Sequence, residues 1–247
     1  MYHFFVEAGQ ISGDVLRIEG ADAHHIRDVL RMKKGEAIEA VDGAGRIYTC
    51  HVAGFTEDAV LADIEEVREA ASELPCPITL YMGLPKFDKM ELIIQKAVEL
   101  GAACIVPVAC RRSVVKLDKK KEAGKIARWE AIAEAAAKQS KRALIPEIKP
   151  VMTFKEAVAE AREAGMIIMP YECAGNMART REILAGIRPG TRIGVFIGPE
   201  GGFDPAEAEL AEEAGASVIT LGSRILRTET AAITTLSILM YMLEGLQ

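Results

Sequence analysis

Short apolar runs alternate with helical segments along the last two thirds of the sequence. The runs are nearly continuous, as expected of strands that are buried on both faces of a parallel sheet. The five predicted strands are Ile78–Leu84, Cys104–Ala109, Met166–Pro170, Ile193–Ile197 and Ser217–Leu221. The six predicted helices are Asp88–Leu100, Lys119–Ala143, Thr153–Ala164, Asn176–Leu184, Pro205–Ala214 and Thr228–Leu243. This alternation predicts an α/β fold with a mostly parallel sheet.

The N-terminal part of the sequence has a different pattern, in which short strands are joined by turns. The predicted strands here are His3–Glu7, Val15–Glu19, Ala37–Val41, Arg46–Phe55 and Ala59–Val67. Asp42-Gly43-Ala44-Gly45 is a strong hairpin signal between two of them, and Asp22 is the predicted N-cap of a helix that ends at Leu30. Two prolines in the linker Ala70–Pro77 stop the last strand. We therefore predict a small β-rich domain over residues 1–72 and an α/β domain over residues 73–247.

The composition argues against several classes of protein. No apolar run reaches the roughly 18 residues of a membrane span, and Met1–Phe5 lacks the basic region and cleavage pattern of a signal peptide. The five cysteines are an odd number without a C-x-x-C pair, which indicates free thiols and argues against a zinc site. We therefore expect a cytoplasmic protein without a metal and without membrane association.

Two glycine-containing loops follow predicted strands near the end of the sequence. The first is Gly198-Pro199-Glu200-Gly201-Gly202-Phe203, and the second runs from Gly222 to Ala231. Neither has the Gly-Lys-Ser/Thr ending of a Walker loop or a G-x-G-x-x-G fingerprint. A backbone-rich loop whose only charged side chain is Glu200 suits an uncharged nucleoside end and a cationic group; an ordinary tight turn is the alternative. Because both loops follow buried strands, we expect them at the sheet edge where α/β proteins bind small molecules.

These two loops carry a resemblance to a known family. Ile197-Gly198-Pro199-Glu200-Gly201-Gly202, followed by Leu221-Gly222-Ser223-Arg224-Ile225-Leu226-Arg227-Thr228-Glu229-Thr230-Ala231, closely resembles the RsmE family of the SPOUT superfamily. That family consists of 16S ribosomal RNA uridine-N3 methyltransferases. The resemblance implies S-adenosylmethionine as the cofactor, a C-terminal SPOUT-type parallel sheet with a trefoil knot, and a small N-terminal PUA-like β-barrel that binds RNA. It also implies a homodimer with the apolar last helix in or near the interface, and 16S rRNA within a ribosomal small-subunit particle as the partner.

The resemblance also implies which residues bind the cofactor. In the family, the strand end that corresponds to Pro170 forms a third wall of the cofactor pocket. The implied cofactor-binding residues are Met169, Pro170, Tyr171, Ile197, Gly198, Pro199, Glu200, Gly201, Gly202, Leu221, Gly222, Ile225, Leu226, Arg227, Thr230 and Ala231.

The chemistry of uridine suggests three catalytic candidates. N3 of uridine carries a proton, so the enzyme must favour the uridine anion and hold it in line with the methyl group. Arg227 is the first candidate to stabilise that anion, ahead of Arg142 and Arg112. Glu200 and Glu229 could accept the proton or face the sulfonium, and the sequence leaves their two roles open.

Basic residues are concentrated in parts of a sequence whose net charge is −6. Residues 111–149 contain twelve Lys and Arg against five Asp and Glu, and such a local basic face is enough for phosphate contacts. A solvated helical face is the alternative. The residues expected to contact RNA, partly through the resemblance, are His25, Arg27, Arg31, Lys33, Lys86, Arg112, Gln139, Lys141 and Arg142. Lys89 and Lys96 are further lysines that could face RNA or the active site.

Two other functions remain open from the sequence. The same fold and cofactor could serve another RNA, such as the ribose of tRNA or of 23S rRNA. The chain could also be a non-catalytic RNA-binding assembly factor. The position of the methyl group in the product distinguishes the first alternative from a 16S rRNA uridine methyltransferase. A test of cofactor binding distinguishes the second alternative from an enzyme.

Overall fold

The computed structural model describes residues 1–115, 117, 119–172 and 176–246. It divides into two units, of which the first comprises Met1–Glu73 and Ala137–Ile145, and the second comprises the remaining segments that begin at Leu74 and at Pro146. The first division lies inside the predicted linker. The return of the chain to the first unit at Ala137 has no counterpart in the sequence analysis, because it occurs within a helix and no change of composition marks it.

The first unit is built on a six-stranded sheet. Its strands are β1 Tyr2–Phe5, β2 Ile11–Ser12, β3 Val15–Glu19, β4 Ala37–Val41, β5 Arg46–Phe55 and β6 Ala59–Glu69, in the order β1-β4-β5-β6-β3-β2. Only the β1–β4 pair is parallel among the described pairings of this sheet. Along β3, Leu16 and Ile18 are buried and alternate with exposed or half-buried neighbours, which is the period-two pattern of a strand with one face in the core.

The helical segment of the first unit differs from its prediction. Helix α1 spans Gly20–His24 and continues as a π-helical segment over His25–Val29. Glu19 occupies the N-cap position, so the prediction that Asp22 caps this helix is wrong. Asp22 lies in the first turn instead, where its Oδ1 accepts a hydrogen bond of 2.9 Å from Lys138 Nζ.

The predicted hairpin between β4 and β5 is confirmed. Asp42 Oδ1 accepts hydrogen bonds from the backbone amides of Ala44 and Arg46, at 2.9 and 3.1 Å. Gly43 and Gly45 have φ values of +68° and +96°. Side chains other than glycine rarely adopt that conformation, which explains why the turn contains two glycines.

The second unit is an α/β structure, as predicted. Its parallel strands are β7 Ile78–Gly83, β8 Ala102–Ala109, β9 Glu147–Ile148, β10 Met152–Thr153, β11 Met166–Pro170, β12 Ile193–Ile197 and β13 Ser217–Ile219. Its helices are α2 Lys89–Glu99, α4 Phe154–Ala164, α5 Met177–Ala185, α6 Pro205–Glu213 and α7 Thr228–Leu243, together with α3 Lys119–Ser140 up to Ala136. The sequence did not indicate β9 and β10, because two-residue strands are too short to produce a periodic pattern. The trefoil knot stays a prediction.

The strand order of this sheet brings the two glycine-containing loops to one edge. The order is β10-β8-β7-β12-β11-β13, with β9 beside β8. Only β11 separates β12 from β13, and since all three are parallel, the segments that follow them leave the same edge. In the core of this unit, Tyr81 and Phe196 stack with ring centroids 4.5 Å apart, and Phe154 packs edge-on against Phe196.

Four of the cysteines are free thiols, namely Cys50, Cys76, Cys104 and Cys110. Burial raises the pKa of Cys50 to about 11, so this thiol is protonated at neutral pH. Burial, followed by the charge of Glu147, raises the pKa of Cys104 to about 12. Cys173, also predicted to be a free thiol, lies outside the described residues.

Candidate functional site

A cavity of about 530 Å³ opens at the edge of the sheet in the second unit. Two loops form most of its wall: the first loop, residues 198–203, follows β12, and the second loop, residues 220–227, joins β13 to α7. The remaining lining residues are Lys89, Pro170, Tyr171, Glu172, Ile197, Thr228 and Ala231. The two loops predicted to lie at one edge of the sheet therefore surround one cavity.

Close backbone packing holds the first loop in place. A Cβ atom on Gly83, at the end of β7, would lie 2.6 Å from Pro199 Cδ, so only glycine allows this approach. Gly202 has a φ of +67°. The chain then enters α6 through a capping box, in which the Asp204 side chain accepts from the Ala206 amide and the Glu207 side chain accepts from the Asp204 amide. This capping box confirms the prediction from the sequence Asp204-Pro205-Ala206-Glu207.

A direct hydrogen bond connects the first loop to the residue that immediately follows the second loop. Thr228, the first residue of α7, donates its hydroxyl to the carbonyl oxygen of Gly198 at 2.5 Å. Thr228 is only 6% exposed, so water does not readily replace it as the donor to that carbonyl. The hydrogen bond therefore couples the position of the second loop to that of the first.

Lys89 at the start of α2 contacts an acidic residue from each side of the cavity. Its Nζ lies 3.2 Å from Glu200 Oε1 in the first loop and 3.2 Å from Glu229 Oε2 in α7. The contact with Glu229 is an ion pair rather than an aligned hydrogen bond, because this buried oxygen has no donor in hydrogen-bonding geometry. The backbone amide of Lys86 also donates to Glu200 Oε1, at 3.0 Å. Residues 86–89 are thereby attached to both sides of the site.

The pKa values of these groups reflect their mutual contacts. Burial is the largest influence on the pKa of Glu200 and raises it. The backbone amides of Glu200 and Lys86 and the contact with Lys89 together outweigh burial, so this pKa is below its ordinary 4.5. The pKa of Glu229 is also lowered. Burial raises it, but the Glu229 backbone amide, Lys89 and Arg227 together outweigh burial. The contact with Glu229 is the largest cause of the raised pKa of Lys89. All three side chains are therefore charged at neutral pH.

Replacing Lys89 by methionine should raise the pKa of both Glu200 and Glu229. A lowered carboxyl pKa contributes stability above the ordinary value of 4.5, and the contribution is lost as the pH falls through the folded-state pKa. Lys89→Met should therefore lose stability at a higher pH than the wild type during acid titration. NMR titration of the side-chain carboxyl carbons measures this directly. Lys96→Met is the matched control, because Lys96 pairs with Glu99 on the same helix, at 2.8 Å. Unchanged carboxyl pKa values in Lys89→Met would contradict the ion pairs.

Most of the predicted cofactor-binding residues line the cavity. They are Pro170, Tyr171, Ile197, Gly198, Pro199, Glu200, Gly201, Gly202, Leu221, Gly222, Ile225, Leu226, Arg227 and Ala231. Met169, in contrast to the prediction, does not line the cavity. Its side chain is fully buried in the core because β11 continues to Pro170. The structure also differs from the prediction at Thr230, which is exposed on a side of α7 away from the lining residues Thr228 and Ala231.

The catalytic candidates fall into different positions. Arg227 and Glu200 line the cavity, whereas Glu229 does not line it and is connected to it through Lys89. Lys89 was predicted only as one of the lysines that could face RNA or the active site, and in the structure it lines the cavity. Glu172, Ser223 and Arg224 were not predicted, although they lie within or beside the motifs that carry the resemblance. Because these three residues lie between or beside motif residues, their position in the sequence could have identified them as lining residues.

The predicted RNA-contacting residues are divided between the two units. His25, Arg27, Arg31, Lys33, Gln139, Lys141 and Arg142 belong to the first unit, and Lys86 and Arg112 belong to the second. Arg112 is exposed, and its Nη1 donates to the carbonyl of Gly201 at 3.2 Å, which places it beside the first loop. Of the residues in the first unit, all but Arg142 are exposed.

Arg142 requires a correction. It is only 3% exposed, and its guanidinium pairs with the carboxylate of Glu73, which also accepts from the Ala143 amide. The carbonyl oxygen of Arg142 contacts the ring of His3 at 3.0 Å. Because this guanidinium is buried and paired, Arg142 has a structural role, and the prediction that it contacts RNA is wrong for this structure.

The described residues also limit other kinds of site. No helix among them is long and apolar enough to cross a membrane. Within the same part of the chain, no group of three or more His, Cys, Asp or Glu side chains is arranged to hold a metal ion.

Comparison with known proteins agrees with this architecture. The RNA methyltransferase domain family matches residues 72–240, and the RNA methyltransferase PUA domain family matches residues 18–65. Ribosomal RNA small subunit methyltransferase E from Bacillus subtilis is 36% identical over 93% of this chain and 91% of its own length. The crystal structure of the Neisseria gonorrhoeae protein of that name, bound to S-adenosylmethionine, is 31% identical with a TM-score of 0.83 and covers 96% of each chain. A Legionella pneumophila methyltransferase in complex with the same cofactor is 33% identical, also with a TM-score of 0.83, over 97% of each chain.

The fold and these matches define the class: an RNA methyltransferase with an N-terminal PUA-like domain and a SPOUT-type parallel sheet. Within this class, the chain belongs to the ribosomal RNA small subunit methyltransferase E family. The resemblance that the two loops carry is thereby confirmed.

Proposed function

We propose that this protein uses S-adenosylmethionine to methylate N3 of a specific uridine in 16S rRNA of the small ribosomal subunit. The observation that carries the proposal is the single cavity formed by two loops that a hydrogen bond connects, in a chain of this family. The relatives named for small-subunit rRNA methylation support the RNA substrate. The assignment of the uridine N3 atom rests on the resemblance in the loops.

The residues around the cavity fit this cofactor. A volume of about 530 Å³ lies within the range of small-molecule sites. The glycine-rich first loop offers backbone amides and carbonyls to an uncharged nucleoside. The carboxylates of Glu200 and Glu172 also line the cavity and suit the positive charge of a sulfonium. S-adenosylmethionine supplies an activated methyl group on that sulfonium.

Besides cofactor binding, the reaction requires stabilisation of the uridine anion, and Arg227 is suited to that role. Its backbone is held by α7, where its carbonyl accepts from the Ala231 amide at 2.8 Å, while its side chain is exposed and lines the cavity. A guanidinium near the base oxygens favours the deprotonated base electrostatically. The lowered pKa of Glu200 makes its carboxylate a weak proton acceptor, so we assign Glu200 to the sulfonium side. Glu229 does not line the cavity, and we assign it the role of positioning Lys89 through their ion pair.

The partners follow from the same proposal. The exposed basic residues of the PUA-like domain contact the rRNA backbone within a small-subunit particle, in the cytoplasm where these particles assemble. The protein acts as a homodimer with α7 in or near the interface. This assignment is supported by Tyr241 of α7, which is 81% exposed, and by an apolar groove between α5 and α7. Sedimentation analysis of the purified protein tests the dimer.

Two neighbouring basic residues should behave differently when they are replaced. Lys141→Glu should weaken RNA binding and reduce the salt slope by about 1, because Lys141 is exposed. Arg142→Ala should lower the midpoint of thermal unfolding because it leaves Glu73 without its buried partner. RNA binding at several salt concentrations, together with thermal unfolding, measures both variants. An unchanged salt slope for Lys141→Glu would remove that surface from the proposal.

The position of the methyl group in the product tests the function as a whole. Small subunits from a strain that lacks this protein are incubated with the purified protein and labelled S-adenosylmethionine, and the rRNA is digested for mass spectrometry. We expect one methylated uracil in 16S rRNA, with N3 as the modified atom. A methylated ribose, or label in another RNA, would contradict the proposed substrate. No cofactor binding by calorimetry at millimolar concentration would favour a non-catalytic assembly factor.

A further inference from the structure

Phe87 has an unusual combination of exposure and backbone conformation. Its side chain is 85% exposed, the second largest exposure among the large apolar residues described, after Ile225 at 86%. Its φ is +57°, a left-handed conformation that brings the Cβ of an L-residue close to the following carbonyl oxygen. For a bulky side chain this is an outlier, and such strain is concentrated at functional sites. Burial of the phenylalanine ring does not account for its presence, because the ring is outside the core.

The residues on either side of Phe87 are bound at the cavity. The Lys86 amide donates to Glu200 Oε1, and Lys89 Nζ contacts both Glu200 and Glu229. Both residues that flank this short segment are therefore bound to the walls of the site. Phe87 itself does not line the cavity, so its exposed ring lies beside the cavity, on a segment that is held at both ends.

The surroundings of Phe87 resemble a surface for nucleic acid. Lys86 precedes Phe87, and the exposed Ile225 lies on the second loop between Arg224 and the nearby Arg227. Aromatic side chains interleaved with cations are typical of proteins that bind unpaired nucleotides, because the bases stack on the rings while the cations contact the backbone. A base must also leave its stack before chemistry can take place on it, which requires a replacement stacking partner.

We propose that Phe87 is a nucleobase-stacking residue that receives an unstacked base of the RNA substrate beside the cavity. This inference rests on the proposed function and adds a substrate-positioning residue to it. The occupant is RNA rather than a second copy of this chain, because Lys86 and Arg224 complement phosphate charge. The strained backbone holds the ring outward instead of folding it onto the protein.

Three variants separate stacking from backbone strain. Phe87→Ala removes the ring and keeps a side chain at positive φ, Phe87→Gly removes both the ring and the strain, and Phe87→Trp keeps an aromatic ring. We expect kcat/KM for RNA to fall about 5- to 150-fold in both Phe87→Ala and Phe87→Gly, the range for one lost base–aromatic stack. Phe87→Trp should retain activity, and the dissociation constant of S-adenosylmethionine should not change in any of them.

Thermal unfolding and fluorescence provide independent readouts. Phe87→Gly should unfold at a higher temperature than Phe87→Ala, because glycine adopts positive φ without strain. The only natural tryptophan, Trp129, is buried, so the fluorescence of Phe87→Trp reports on an exposed position. Addition of the substrate RNA should quench it if a base stacks on the ring. Leu92→Ala is the matched control, since Leu92 is 43% exposed on α2 and should leave transfer unchanged.

Two results would overturn the inference, and a third would overturn the proposed function alone. If Phe87→Gly restored the activity that Phe87→Ala loses, the backbone rather than the ring would matter. If Phe87→Ala changed the dimer dissociation constant and left kcat/KM for RNA unchanged, the occupant would be a second copy of the chain. If the wild type bound RNA without methylating it, the proposed function would fail, while the fluorescence of Phe87→Trp would still decide whether a base stacks there.

Discussion

Arg227→Ala should reduce the rate of methyl transfer about 100- to 1,000-fold at saturating substrates, the usual effect of removing one electrostatic stabiliser of a developing anion. Its backbone position is set by α7 and does not depend on the side chain, so the cavity should keep its shape. The affinity for S-adenosylmethionine should therefore change by no more than about threefold. Single-turnover kinetics and calorimetry on the same preparation separate the two effects.

Arg224 provides a matched control for this prediction. It lines the same cavity, is exposed, and lies three residues earlier on the same loop. Arg224→Ala should affect RNA affinity and its salt dependence more than the single-turnover rate. A higher pH should partly rescue Arg227→Ala, because it favours the uridine anion without help from the enzyme. Equal losses of transfer rate and cofactor affinity in Arg227→Ala would show that Arg227 binds the cofactor and does not act in transfer.

Thr228→Val should have the opposite profile, with a loss of about 5- to 100-fold in cofactor affinity. Valine has nearly the same shape as threonine but cannot donate to the Gly198 carbonyl, so a part-buried acceptor loses its partner and the two loops lose their direct connection. The transfer rate at saturating cofactor should remain much closer to that of the wild type. Calorimetry with S-adenosylmethionine, followed by single-turnover kinetics, measures both quantities.

Thr228→Ser tests whether the hydroxyl group itself is responsible. Serine keeps the donor and loses only a methyl group, so its affinity for the cofactor should stay near that of the wild type. If Thr228→Val bound the cofactor normally while its thermal stability was also normal, the connection between the loops would be irrelevant to binding. Under the proposed function, Thr228 governs cofactor binding and the adjacent Arg227 governs methyl transfer, and the two sets of variants test this division.

Local patterns in the sequence were sufficient to predict most of the second unit. β11 and β12 begin and end at the predicted residues, because fully buried strands are continuous apolar runs bounded by polar or glycine residues. The helix α7 also has its predicted bounds, Thr228–Leu243. The capping box at Asp204 gives α6 a defined start, whereas β13 ends at Ile219 and leaves Thr220 and Leu221 to the cavity wall.

Contacts between distant segments could not be predicted in the same way. Lys89 is separated by more than a hundred residues from both Glu200 and Glu229, and no local pattern distinguishes it from an ordinary exposed helix lysine. Arg142 appears in a basic stretch but is buried against Glu73, because residues 137–145 belong to the first unit. The sequence shows which side chains are charged, but only the fold determines whether a charged side chain faces solvent or pairs with another residue.

A crystal structure of this protein with S-adenosylmethionine is the decisive test of whether the two loops bind the cofactor jointly. We expect the cofactor to lie in one cavity and to contact both the first loop, residues 198–203, and the second loop, residues 220–227, with Glu200 on the side of its sulfonium. Cofactor bound elsewhere on the molecule, or held by only one of the two loops, would contradict it.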